Sequence, residues 1–206
     1  SSNSLSVILN AIIIISALYA IIRIFIANNR LNNEENNYLS LVTIIREHLT
    51  DKNFEAIIEK INKQKIYGVV YDRFKALYSQ KTKNVKIDLN SIQSVNKSYK
   101  LPTYHSPYFV SNILVPLGLL GTIIGLAISL TDINYALTFQ DINKLKDSLT
   151  RVLSGVNTAF STTITGIFCS IFVLLALNRS KKKYINLLDE IDSYFFNDIQ
   201  KLFFEN

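Results

Sequence analysis

The 206-residue chain carries 22 Lys and Arg against 16 Asp and Glu, and 49% of its residues are hydrophobic. Its single cysteine, Cys169, excludes an internal disulfide and argues against a thiolate metal centre. With two histidines and no phosphate-binding glycine loop, no catalytic constellation can be assembled, so neither enzymatic activity nor a resident metal or cofactor is expected.

The first predicted element is an apolar run over residues 5–27, whose only charge is Arg23. It has the roughly 20 residues a membrane-crossing helix needs. No basic residue precedes it and no small-residue cleavage site follows, so it reads as a membrane anchor and not as a cleaved signal peptide. Residues 28–108 form the next segment. Asn28 to Asn37 is polar and is expected to be a turn or a fraying helix end. From Tyr38 to Tyr78 apolar residues recur at helical spacing (Leu41, Ile44, Ile45, Leu49, then Phe54, Ile57, Ile58, Ile61), which predicts two or three amphipathic helices. Asp51 is the expected cap of the second of these, with Glu55 in its first turn. Ser79 to Lys100 is polar and weakly patterned, and Pro102 and Pro107 mark a break.

A second charge-free run covers 109–131 and a third covers 152–178, separated by a short connection over 132–151. Residues 179–206 open on Arg179, Lys181, Lys182 and Lys183. They continue with Ile185, Leu188, Ile191, Phe195, Ile199 and Leu202, the pattern of an amphipathic extension of the third helix. This run is still open at Asn206 and the chain lacks an initiator Met, so a longer natural protein is expected. The fold class is therefore all-α, a multi-pass membrane protein with three transmembrane helices embedded in the lipid bilayer. Thirteen Lys and Arg fall within 28–108 and five follow Leu177, whereas 132–151 balances three acids with three bases. The positive-inside rule then gives an N-out, C-in topology. It also accounts for the net charge of +6 without any bound nucleic acid.

The informative residues are the polar ones inside the second and third spans. At 100° per residue, Ser111, Val115, Gly118, Thr122, Gly125 and Ser129 share a face of the second. Gly118, Gly121 and Gly125 give the small-residue spacing that lets helix backbones approach closely. Pro116 removes a backbone hydrogen bond and is an expected kink. On the third span Ser154, Thr158, Ser161, Thr162, Thr165 and Cys169 share a face, and Thr163 points elsewhere. Such stripes either pack helices together, with hydroxyls bonded back to their own carbonyls, or line a wet or partner-filled passage. Neither span contains an ionisable Asp, Glu, Lys, Arg or His. Proton transport through them therefore requires a group supplied by another chain.

The string from Pro116 through Gly121 and Thr122 to Gly125, and the string from Gly155 through Thr158, Ser161, Thr162, Thr163 and Thr165 to Gly166, resemble the second and third helices of the MotA/TolQ/ExbB family. The resemblance covers about Phe109 to Asn178 by motif and the rest by topology. It implies a homopentamer in the bacterial inner membrane whose second and third helices line a pore. That pore would hold a dimeric single-pass partner of the ExbD, TolR, MotB or ZorB type, bearing a membrane-embedded Asp. It further implies that the complex acts as a motor stator, turning proton-motive force into mechanical work. Thr122 and Thr163 would be the pore hydroxyls nearest that Asp, with Thr162, Ser161, Thr158 and Thr165 behind them. Two departures stand out. Thr158 occupies the position where ExbB and TolQ carry a Glu, and their late proline is absent from Phe168 to Leu177. These departures lean toward a distant branch such as the ZorA subunit of Zorya anti-phage systems, and they leave sodium open as the translocated ion. The competing reading is a non-conducting helical membrane scaffold.

Overall fold

A computed structural model describes residues 2–48, 54–82, 104–136 and 142–199. Five α-helices account for nearly all of them: α1 (Ser2–Glu47), α2 (Phe54–Lys63), α3 (Val69–Thr82), α4 (His105–Ala136) and α5 (Ile142–Tyr194). A π-helical turn, Phe195–Ile199, follows α5. Strands are absent among the described residues. Helices α1, α4 and α5 are long and apolar enough to cross a membrane. The chain is a membrane protein.

Several elements run further than their sequence suggests. The Asn-rich stretch Asn28 to Asn37 is helical, because α1 continues unbroken for 46 residues. Asparagine is a weak helix former, with a penalty of only about half a kcal/mol per residue. Leu31, Tyr38 and Leu41 are buried against other elements and more than offset that penalty. The connection expected over 132–151 is helical at 132–136 and 142–151. Asp51, Leu49, Pro102, Leu202 and most of Ser79 to Lys100 lie outside the described residues.

The chain divides into two units, Ser1–Phe25 with Tyr104–Arg179, and Ile26–Thr103 with Ser180–Asn206. In the first, α1 buries Ile13, Ala17, Ala20 and Ile24, one face at helical spacing. Its opposite face leaves Ile12, Ile15, Leu18, Ile22 and Phe25 exposed. Exposed apolar side chains are stable next to lipid tails, so this face needs no protein cover. Tyr19 and Ser106 face each other, with their hydroxyl oxygens 3.3 Å apart.

The second unit has the amphipathic core of a water-soluble bundle. Leu41, Ile44 and Ile45 of α1 meet Ile57 and Ile61 of α2, Val70, Phe74 and Leu77 of α3, and Leu187, Ile191, Phe195 and Ile199. Ile185, expected on this stripe, is instead exposed. Helix α2 ends in a Schellman-type cap: Ile66 N–H donates to Ile61 C=O at 3.2 Å and Lys65 N–H to Asn62 C=O at 3.2 Å. Lys65 there holds a φ of 53°, left-handed although it is not glycine. Glu34 of α1 then caps α3, its Oε2 accepting the Val69 N–H at 3.1 Å. This close approach needs Gly68 beside it: φ there is 113°, and a Cβ would sit 2.2 Å from Glu34 Oε2. Lys183 ties α5 to α1 through Asn32 Oδ1 at 2.8 Å and Glu35 Oε2 at 2.9 Å.

Two tyrosines in this core, Tyr38 and Tyr194, meet edge to face with centroids 6.0 Å apart. Burial, with the Asp198 charge second, pushes the Tyr194 hydroxyl from 10.0 up to about 12. Burial also raises Tyr38, followed by Glu190 and Asp198. The unfolded chain would ionise these rings near pH 10 while the folded chain keeps them neutral. Their contribution to stability is therefore intact below pH 10 and falls as pH rises toward 12. We expect tyrosinate absorbance to appear together with loss of helical circular dichroism in that window. Early ionisation without unfolding would contradict the buried placement.

Candidate functional site

The second and third membrane spans, α4 and α5, touch through their smallest residues. A Cβ added at Gly166 would lie 2.6 Å from the Leu114 carbonyl oxygen and 3.1 Å from Gly118 Cα. One added at Gly125 would lie 2.9 Å from the Gly155 carbonyl, and one at Gly118 would lie 3.0 Å from that of Thr162. Gly155 faces Ser129 in the same way, and Gly121 faces the Thr162 side chain. At Gly118, Gly125 and Gly166 backbone meets backbone, the close approach that small residues permit between membrane helices. All five glycines singled out in the sequence sit on it. Helix α4 passes through Pro116 without a break.

Hydroxyls fill what the glycines leave open. Thr122 Oγ1 and Thr163 Oγ1 are in direct hydrogen-bond contact across the seam. Thr163 Oγ1 lies 3.0 Å from the Gly118 carbonyl and Thr122 Oγ1 3.1 Å from the Ala159 carbonyl, so whichever hydroxyl donates to the other, the second proton has a carbonyl acceptor. Toward one end, Ser170 Oγ donates to the Ser111 carbonyl at 2.9 Å. Toward the other, Ser129 Oγ lies 3.0 Å from the Gly125 carbonyl and 3.1 Å from that of Val152. Thr162 is fully buried, its Oγ1 3.0 Å from the Ala159 carbonyl.

The expected face of the second span holds, except that Leu114, fully buried, takes the place of Val115. On the third span the contact line is Gly155, Ala159, Thr162, Thr163, Gly166 and Ser170, rotated from the hydroxyl stripe the sequence suggests. Hydroxyls satisfied by their own helix do not need to face a partner, so glycine and alanine set the line of closest approach. Thr158 donates to the Ser154 carbonyl at 2.9 Å and Thr165 to the Ser161 carbonyl at 2.8 Å. Ser161 faces α1, where it accepts from Asn10 Nδ2 at 3.3 Å. Thus Thr122, Thr163 and Thr162 share one site, and Thr158, Ser161 and Thr165 lie around the helix from Thr163. The residues that sequence reasoning passed over are Ser170, one position beyond the stripe at Cys169, and Asn10. Asn10 is the only amide within Leu5 to Ile22, and that isolation marks it.

Among the described residues no cluster of His, Cys, Asp and Glu could hold a metal ion. The described parts of α4 and α5 between Phe109 and Thr131 and between Val152 and Leu177 have no formal charge. What the seam offers chemically is hydroxyl and carbonyl oxygen in an apolar setting.

This geometry defines an all-helical membrane protein whose second and third spans are joined by a glycine and hydroxyl seam. Residues 109–193, which contain that seam, match the MotA/TolQ/ExbB proton channel family. No curated protein and no solved structure matches the chain. Proteins of this family work with a partner membrane protein in a complex.

Proposed function

We propose that the chain is the ion-conducting subunit of a membrane motor, a homopentamer of the bacterial inner membrane set N-out and C-in. The observation that carries this reading is the Thr122–Thr163 hydroxyl pair, half-buried on a charge-free seam within the family-matched segment. A dimeric single-pass partner supplies a membrane Asp, and the two threonines stand closest to it. Proton-motive force drives the cycle, with sodium the alternative ion because Thr158 replaces an ionisable residue. Thr158 and the missing proline, with the long α5, favour a ZorA-like system of anti-phage defence over nutrient import or division.

Ion flux into proteoliposomes holding the chain and its partner tests this reading. Thr122→Val and Thr163→Val each preserve shape and delete a hydroxyl, and each is expected to lower flux about tenfold, the equivalent of about 1.4 kcal/mol in the barrier. Unchanged flux in both would contradict the reading. A non-conducting scaffold is the second reading, and the back-bonded hydroxyls of Thr158 and Thr165 favour it. The mass of the detergent-purified complex separates the two: five copies with two partner chains for the motor, a monomer or dimer without a partner for the scaffold.

A further inference from the structure

Helix α1 crosses the apolar region with one amide inside it. Asn10 Nδ2 donates to Ser161 Oγ at 3.3 Å, whereas Asn10 Oδ1 is enclosed by protein and meets no donor among the described residues. An enclosed acceptor left without a donor costs about 1–3 kcal/mol. Leucine, nearly the same shape, would avoid that cost. Ser161 Oγ, having accepted the amide proton, still has a proton of its own to give. Thr165, one turn along, donates to the Ser161 carbonyl and adds another hydroxyl oxygen to this side of α5.

The smallest species that meets both needs is water, which donates to Oδ1 and accepts from Ser161. We propose that Asn10 and Ser161 seat a water molecule between α1 and α5. Ser161 and Thr163 point roughly 160° apart around α5, so this is a polar site separate from the Thr122–Thr163 pair. If the bundle conducts ions as proposed above, the seat is a second resting place for a protonated water. The seating itself stands on the amide geometry alone.

Thiol chemistry tests it in the full-length protein. In a Cys169→Ser background, Ser161→Cys keeps Asn10 in place and is treated with a charged methanethiosulfonate. The reagent consumes thiolate, which forms where water reaches the sulfur. Cysteines at Phe160 and Ile164, 61% and 54% exposed on the apolar surface, bracket the depth of residue 161. The expected rate at 161 is about tenfold above both, falling to theirs when Asn10→Leu is added. A rate at 161 no higher than its neighbours, or one that Asn10→Leu leaves unchanged, would overturn the proposal. Should Asn10→Leu fail to accumulate, Asn10→Met gives the same two outcomes. Thr122→Val leaves these rates untouched, so loss of the ion-conducting reading and loss of this site are told apart.

Discussion

Gly166→Ala is expected to destabilise the protein by about 1–3 kcal/mol, the usual cost of forcing extra volume into a packed interface. The sign is what makes the substitution informative. Alanine is the better helix former by about 0.8–1 kcal/mol, so in an open stretch of α5 the same change would stabilise. At residue 166 the new methyl would stand 2.6 Å from the Leu114 carbonyl oxygen, with Gly118 Cα and N at 3.1 and 3.3 Å. None of these is the end of a flexible side chain, so α4 and α5 must separate along the seam. Separation also pulls Thr163 from Thr122 and Ser170 from the Ser111 carbonyl. Thermal unfolding of the detergent-solubilised protein checks this. A midpoint that rises on Gly166→Ala would show that the seam is looser than described.

Asp192→Ala is expected to cost about 3–5 kcal/mol, more than any surface charge in the chain, because it strands a buried cation. Arg73 of α3 is 2% exposed and pairs with Asp192 of α5, itself 13% exposed. Its Nε and Nη2 find no acceptor among the described residues, so Asp192 is the main compensation for the guanidinium. Removing both charges should differ in kind from removing one. Arg73→Met with Asp192→Leu fills the same volume with apolar groups and is expected to be neutral or stabilising. Urea or thermal unfolding of the single and double variants gives the coupling directly. An additive double variant would place the arginine in water and not in the core.

Much of the fold could be read from residue pattern alone, because hydrocarbon imposes a rule that few sequences meet by chance. The two charge-free runs and the Leu5 to Ile22 run each had to be a helix. The glycines at 118, 121, 125, 155 and 166 could be assigned to packing for a similar reason, since small residues in a span have few other uses. The rotation of α5 could not be read. A threonine in a helix satisfies its own hydroxyl, so a hydroxyl stripe does not say which side faces a neighbour. Thr163, off the stripe, makes the contact with Thr122, and it was placed near Thr122 only through family resemblance. Arg73 and Asp192 were equally silent: they are far apart in sequence, and a charged residue in an amphipathic segment ordinarily reads as solvated. The cap that Glu34 provides for α3 depends on a long-range meeting that no local motif announces.

The hydroxyls of Thr158, Thr162, Thr163 and Thr165 each have a carbonyl to take their proton. What they hold out to any arriving group is lone pairs. Around α5 these oxygens make the helix electronegative without a formal charge. A hydrated cation or a neutral acid finds oxygens ready to receive it, and these four hydroxyls offer an anion no free proton. A carboxyl group brought against these oxygens by another chain would therefore hold its proton more tightly than in water, since only its protonated form has something to give.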